Sequence, residues 1–472
     1  MGGSVHTVWV TSRSAAIVLA LAVVSAACTS TASIDVSSGA VHAAASQEMA
    51  AGDPGAPTAA GSTAADTAAG GIAAGGDSAR AATDPGAAEP GGLLPTDGSE
   101  GTPPPASVEP IKIGTVQPLQ GGQRDFGVPI LRATQSYIDE LNARGGILGR
   151  PIELVAYNAC LLCQDEALQA VRRLVEQDNV FAIVNTYVMV VAFQSVIPYL
   201  VEQNVPLIQG GAENQTSDAL SPVNFATAPP GRFYLRLLPE MAKREGITRV
   251  AFTYLDVPSE ANGIPLLREE FERQGIEVVA EEPIGAAEDA VTNMDAAITR
   301  MRAAGANGVM ATNPVLVIYG RLGADRQNWQ VPWIGPAAWS RLVEDSCGST
   351  CDEFVLTDTA GLSWIERDTP QMRQYVDVLA RRYPGGELTG HTLAAWVGMQ
   401  LLVEVLNRTG VDDRAAFLAE MNRVTNLDLG TTSLLTFNPD RHLGGSATVL
   451  LKLVDGKYVK AAGPLSYGEA EL

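Results

Sequence analysis

The sequence predicts an α/β protein of two doubly wound, Rossmann-like lobes behind a disordered linker, and three observations predict it. Beyond residue 110, short apolar runs alternate with segments of helical periodicity. The alternation breaks off and restarts near residue 229, and 362 residues from Ile111 onward are too many for one ordinary core. The residues before them have a different composition altogether.

Residues 111–116 read as a strand that stops at Pro118, and 126–142 as a helix with Ile130, Ala133, Tyr137 and Leu141 on one face. Gly145-Gly146 ends that helix, because left-handed backbone costs glycine little. Strands at 152–157, 180–184 and 205–208 alternate with helices at 165–177 and 188–202. The restart reads as strands at 249–254, 277–281, 308–312 and 331–334, with helices at 263–274, 289–304 and 316–322. A strand around 357–361 and helices at 372–382 and 392–407 follow. A hairpin at 448–460, turned at Asp455-Gly456, closes the chain. The strands are apolar throughout, as expected where helices cover both faces of a parallel sheet. Ligands of such sheets sit beyond the carboxyl ends of the strands, so two facing sheets imply an interlobe cleft.

The first 110 residues divide in two. Arg13, the apolar run 15–24 and the small residues Ser25-Ala26-Ala27 make 1–28 an export signal. Cys28 follows directly and resembles the lipobox cysteine of bacterial lipoproteins, with Ser25 where leucine is usual. A lipid anchor at Cys28 is therefore expected, with plain cleavage near Ala27 as the alternative. Of the 82 residues in 29–110, 61 are Ala, Gly, Pro, Ser or Thr, and none is aromatic. Such a tract buries too little apolar surface to offset the entropy of ordering it, so it reads as a spacer.

The net charge of −21 divides as +1 over the signal, −9 over the spacer and −13 over the remainder. With no basic stripe, nucleic acid is excluded as a partner. Four cysteines remain, in two close pairs: Cys160 with Cys163, and Cys347 with Cys351. In an exported chain two local disulfides are expected. Cross-pairing, free thiols, a four-thiolate zinc site and a redox-active pair are the alternatives.

A specific resemblance lies in 111–213. Ile111-Lys112-Ile113-Gly114, Pro118-Leu119-Gln120-Gly121 and Asn142-Ala143-Arg144-Gly145-Gly146-Ile147-Leu148-Gly149-Arg150 resemble the type I solute-binding proteins. In particular they are similar to the branched-chain amino acid binding lipoproteins of ABC importers, as are Val205-Pro206-Leu207-Ile208 and the ending Gly456-Lys457-Tyr458-Val459. The resemblance implies the type I periplasmic binding protein fold, with a hinge and an interlobe ligand cleft. Lobe one would be 111–228 plus 358–430, lobe two 229–357, with 431–472 a hairpin near the hinge. It implies capture of a small organic solute and delivery to an ABC permease and its ATPase subunits, at the outer face of the cell membrane. It implies no enzyme, cofactor or metal.

Carried over position by position, first-lobe ligand contacts fall on Gln120 and Gly121, on Asn185, Thr186 and Tyr187, and on Gly211, Ala212 and Glu213. Amides at a helix start hold an anion readily, so Thr186 is the leading candidate, with a plain helix cap as the alternative. In lobe two the contacts fall on Tyr254, Asn313 and Trp339. There the chain departs from the family. Asn313-Pro314 stands where amino acid binders place an acid for the ammonium group, and Glu213, Asp256 or Glu260 would have to replace it. The neutral aromatic rim, with Tyr187, Tyr254, Trp339 and Trp364, favours a hydrophobic, amide-bearing or aromatic solute over a sugar phosphate or a metal, and a non-zwitterionic molecule is expected to bind more tightly than leucine.

No serine-hydrolase elbow, zinc-protease helix or phosphate loop is present. His391 opens a helix and His442 lies in the terminal turn region, neither with an acid or thiol beside it in sequence. Two other classes of function remain open: a tethered sensor that relays closure to a signalling partner, and a surface lipoprotein that kept the scaffold without the ligand.

Overall fold

The computed structural model describes 101–466, with Ser33, Ile34 and Leu94, leaving out 106, 122–123, 161–162, 188, 211–220, 230, 257, 262, 286–289, 336–341, 358–362, 364, 367 and 385–387. The signal and Cys28 lie outside the described residues, as does nearly all of the spacer before 101.

Two sheets carry the fold. In the first, β2 (Ile111–Gln117), β3 (Ile152–Asn158), β4 (Ala182–Val184), β5 (Leu207–Gln209) and β6 (Asn224–Ala226) are parallel in the order β3-β2-β4-β5-β6. The pair Ser33–Ile34, β1, lies antiparallel along the outer edge of β3. In the second sheet, β7 (Arg249–Leu255), β8 (Glu277–Ile284), β9 (Gly308–Ala311), β10 (Trp333–Gly335) and β11 (Phe354–Thr357) are parallel in the order β11-β10-β9-β7-β8. The hairpin β12 (Ala447–Val454) and β13 (Lys457–Ser466) extends it antiparallel beside β11, so the C terminus completes lobe two.

Helices fill the crossovers because each carries an apolar stripe for its sheet. They are α1 (Arg124–Ala143), α2 (Gln164–Glu176), α3 (Met189–Glu202), α4 (Gly231–Arg244), α5 (Pro258–Ala261), α6 (Ile264–Arg273), α7 (Ala290–Ala303), α8 (Pro314–Arg326) and α9 (Leu342–Cys347). Then α10 (Pro370–Arg382), α11 (Gly390–Thr409) and α12 (Arg414–Met421) return to the first lobe. α11 is buried on every side from Gly390 to Leu406, as its near-continuous apolar sequence requires. Its Trp396 packs edge-on against Tyr137 of α1, ring centroids 4.9 Å apart.

The chain differs from the sequence expectation at several elements. β1, β6, α4, α5, α9 and α12 are additional, β1 falling in the tract expected to be a spacer, and the strand expected at 357–361 lies at Phe354–Thr357. The pairs Cys160–Cys163 and Cys347–Cys351 are each joined as local disulfides. The second closes the turn into β11, which the Arg321 guanidinium clamps by donating to the carbonyls of Thr350, Asp352 and Val331.

Where β6 leaves lobe one, it is bound to the returning chain before β12. Ala226 N–H donates to His442 O, Gly444 N–H to Ala226 O, and Gly445 N–H to Ala228 O, at 2.9, 2.9 and 3.0 Å. A Cβ on Gly445 would lie 2.5 Å from Thr227 O, so only glycine lets these two crossing strands touch. The His442 ring stacks on Phe225 with centroids 4.2 Å apart.

Candidate functional site

Each sheet has one place where strand order reverses: between β2 and β4 in lobe one, and between β7 and β9 in lobe two. Loops leave such a switch point in opposite directions and open a crevice there. Both crevices are lined by polar groups.

In lobe one the crevice is knitted shut. Thr186 is almost fully buried; its hydroxyl accepts from Val116 N–H and donates to Val184 O, both at 3.3 Å. It joins β2 to β4. Asn185, at φ +48°, donates from Nδ2 to Thr134 Oγ1 (3.2 Å) and Ala395 O (2.8 Å), while its Oδ1 accepts from Gly210 N–H (3.3 Å). One asparagine thus ties β4 to α1, α11 and the end of β5, and asparagine tolerates the left-handed backbone that this demands. Gly210 must be glycine, since a Cβ would sit 1.4 Å from Ala394 O. Gln117, fully buried at the end of β2, donates to Thr115 Oγ1 (2.9 Å) and to Asn185 O. Its Oε1 has no partner among the described residues.

Beside this network three rings meet where three chain segments begin. Tyr187, half-buried, stacks on Phe126 of α1 with centroids 5.9 Å apart and planes 12° from parallel. His391 of α11 meets both edge-on, at 5.2 Å from Tyr187 and 5.8 Å from Phe126. Gln120 and Gly121 are exposed on the neighbouring loop after β2. Gly211, Ala212 and Glu213 lie outside the described residues, as do Trp339 and Trp364.

In lobe two the crevice holds a carboxylate. Glu260, carried by α5, accepts from Leu255 N–H at 2.8 Å, from the Thr312 hydroxyl, and from Asn313 Nδ2 at 3.5 Å. Asn313 also caps α8, its Oδ1 accepting from Val315 N–H at 2.9 Å. Glu260 is largely withdrawn from water and its described donors are all neutral. Burial pushes its pKa up, against the pull of those hydrogen bonds. An acid therefore stands beside Asn313, supplied by a different loop. Burial raises the pKa of Tyr254, with the charges of Glu281, Asp256 and Glu282 adding to it and Arg268 opposing. Tyr254 packs against the core of lobe two.

Sequence reasoning named Asn185, Thr186, Tyr187 and Asn313 as contacts and Glu260 only as one of three substitutes. It did not find Gln117, Phe126, His391 or Thr312. The usable signal was position: each lies within a few residues of a strand's carboxyl end or a helix's first turn.

A sequence profile described as periplasmic binding protein matches residues 110–457. The Leu/Ile/Val-binding protein homolog 7 of Brucella suis biovar 1 is 23% identical over 373 residues, spanning 75% of this chain and 92% of that protein. A leucine-binding protein of Thermotoga maritima superposes with a TM-score of 0.63 at 16% identity, covering 75% of this chain and 98% of that one. A fatty acid ABC transporter substrate-binding protein from Thermomonospora curvata gives 0.63 at 18% identity, covering 78% and 95%. At these identities the structural likeness establishes the fold alone. The profile match covers most of the chain together with both lobes, and the chain belongs to the periplasmic binding protein family.

Proposed function

We propose that this chain is the solute-binding lipoprotein of an ABC importer, held to the outer membrane face by a lipid on Cys28, and that it closes its two lobes on a small organic molecule bearing a cationic group. Family membership supports the coarser part: a non-catalytic, solute-binding role outside the cytoplasm. The finer part rests on Glu260.

A carboxylate drawn out of water is costly unless a cation pairs with it. Glu260 is held by neutral donors at a switch point, where ligands of such sheets bind. An ammonium or amidinium on the solute would supply the missing charge. From lobe one, Tyr187, stacked on Phe126 and meeting His391 edge-on, would offer an aromatic surface to an apolar body. Contacts made to both lobes at once are what would favour the closed form. The acid beside Asn313 thus readmits amino acids and amines, which the residue at 313 alone argues against.

The test is a thermal-shift screen with calorimetry on matched sets, each carbon skeleton supplied as amine, amino acid, amide and carboxylic acid. A true ligand at 100 times its Kd should stabilise by about 2.7 kcal/mol. Hits should concentrate among the cations and weaken at least tenfold in Glu260→Gln. Hits confined to anions or neutral compounds would remove the cation. No hit in any set, with no ligand-dependent compaction in solution scattering, would remove the binding reading itself.

A further inference from the structure

We propose that the flank of lobe one where the end of α10 lies on α1 is a binding site for a phosphate-type dianion, received by the guanidinium groups of Arg132 and Arg382 and the hydroxyls of Ser136 and Tyr383. The site is separate from the crevice at Glu260 and does not depend on which solute is bound there.

Arg132, Ser136, Glu140 and Arg144 follow one another at intervals of four. They therefore stand in a row along one flank of α1 and the turn that ends it. The last turn of α10 brings Arg381 and Arg382 against that row, with Tyr383 as its C-terminal cap. The pairing is lopsided. Arg381 Nη2 and Arg382 Nη2 both reach Glu140 Oε1, at 2.7 and 3.1 Å, and Arg144 Nη2 lies 3.5 Å from Oε2. Arg382 Nη1 pairs with Asp139 Oδ2 at 2.6 Å, while Asp139 Oδ1 accepts from Gln135 Nε2 at 2.7 Å. Arg132 has no ion pair among the described residues. Its guanidinium lies over the Tyr383 ring, 5.1 Å from the centroid. These four arginines and two acids carry two positive charges in excess.

The excess surrounds donors that lack acceptors. Arg132 Nε and Arg382 Nε are each buried with no acceptor among the described residues. The Ser136 hydroxyl, only 1% exposed, is a third polar group without a bond of good geometry there. Such buried groups are costly to leave unpaired, and charged ones most of all. The three meet at one phenol. Burial raises the pKa of Tyr383, and Arg132, the Ser136 hydroxyl and Arg382 each pull it back, with Asp139 opposing them.

The chemistry of these groups selects the ligand. Guanidinium forks match the spaced oxygens of a tetrahedral oxyanion, and hydroxyls can donate to the oxygens that remain. A carboxylate would leave one excess charge unmatched, whereas a dianion cancels both. The long-range field does not gather anions here, because the chain beyond the spacer is net −13. The affinity therefore has to come from these short contacts. The same contacts suit free phosphate and the phosphomonoester headgroup of a lipid.

The experiment is calorimetry of the full chain with inorganic phosphate and with sulfate at fixed ionic strength. Arg132→Gln, Ser136→Ala and Arg326→Gln are titrated beside the parent. The parent should bind one dianion. Arg132→Gln should weaken it roughly tenfold or more, and Ser136→Ala, which keeps every charge, about threefold. Arg326→Gln loses the same charge from α8 of lobe two, where Arg326 pairs with Asp295, and should bind as the parent does. A second arm uses a short-chain phosphatidic acid below its micelle concentration. Tighter binding of that lipid than of phosphate assigns the site to a headgroup, and equal or weaker binding assigns it to free phosphate. No binding of phosphate, sulfate or the lipid overturns the site. So does binding that Arg132→Gln and Ser136→Ala leave undiminished, or that Arg326→Gln weakens as much as Arg132→Gln.

Discussion

The hydroxyl of Thr312 donates to the carboxylate of Glu260, joining the loop after β9 to the short helix after β7 across the switch point of lobe two. Burial raises the pKa of Glu260, with the bonds from Thr312, Leu255 and Asn313 pulling the other way. An acid with a raised folded pKa holds its proton more tightly in the folded state than in the unfolded one. It favours folding below its unfolded value of about 4.5, and this advantage is lost as pH rises through the folded value. Glu260→Gln removes the titration. In ligand-free protein, the Tm difference between variant and parent should therefore move in the variant's favour between about pH 4 and pH 7. A difference independent of pH would show that the carboxyl titrates as an exposed one does.

Asn185 makes a prediction of stability. Alanine there abolishes bonds to Thr134, Ala395 and Gly210 inside a closed core, leaving the Ala395 carbonyl and the Gly210 amide without that partner. Three such losses cost about 3 kcal/mol. Holding alanine at φ +48° adds about 1 kcal/mol. Urea unfolding of Asn185→Ala should show a lower midpoint at unchanged slope. Asn185→Gly should recover about 1 kcal/mol, because glycine has no penalty at that backbone angle. If the two variants unfold together, the backbone contributes nothing.

These two residues also show what a sequence can carry. The parallel strands and their helices were legible because apolar runs and 3.6-residue stripes are local. β6 was not, since Asn224-Phe225-Ala226 is three residues long and owes its strand geometry to Leu207–Gln209 beside it. α4 hid behind Pro239, and β11 behind the disulfide turn at Cys347–Cys351, which shifted its expected start. Asn185 could be placed at the site by its position after a strand. That its side chain is consumed by α1, α11 and Gly210 depends on partners up to 210 residues away. Glu260 and Asn313 are 53 residues apart, and only the pairing of β7 with β9 brings them together.

The disulfides should be modest stabilisers. Each closes a loop of three or four residues, for which the chain-entropy relation gives about 2 kcal/mol. Arg321 binds three carbonyls around the second one independently of the sulfurs. Full reduction should therefore lower the Tm by several degrees while far-ultraviolet circular dichroism at 25 °C stays unchanged. Thiol titration of the unreduced, denatured mature protein should find none of Cys160, Cys163, Cys347 or Cys351 free. Loss of the spectrum on reduction would mean that the bridges, not the packing around them, hold the fold.

His442 predicts the opposite pH behaviour from Glu260, in a higher window. Its Nδ1 faces the carbonyls of Ser221 (2.8 Å) and Asn224 (3.1 Å), so that nitrogen carries the proton. Nε2 is buried with no partner among the described residues. Charging the ring would place a proton where nothing accepts it, and burial holds the pKa below its usual value of about 6.5, against the two carbonyls and Asp440. A base whose folded pKa is depressed binds fewer protons when folded. The stability it confers is complete above about pH 6.5 and drains away as pH falls toward the folded value. Because the ring stacks on Phe225 and its own carbonyl receives Ala226 N–H, the loss falls on the strands crossing between the lobes. His442→Asn keeps a donor near Nδ1 and removes the titration. Between about pH 7.5 and pH 5 the parent's Tm should fall further than that of the variant, and hydrogen exchange at Ala226, Gly444 and Gly445 should quicken in the parent alone. Parallel Tm curves, or exchange that quickens equally in both proteins, would place the acid sensitivity elsewhere.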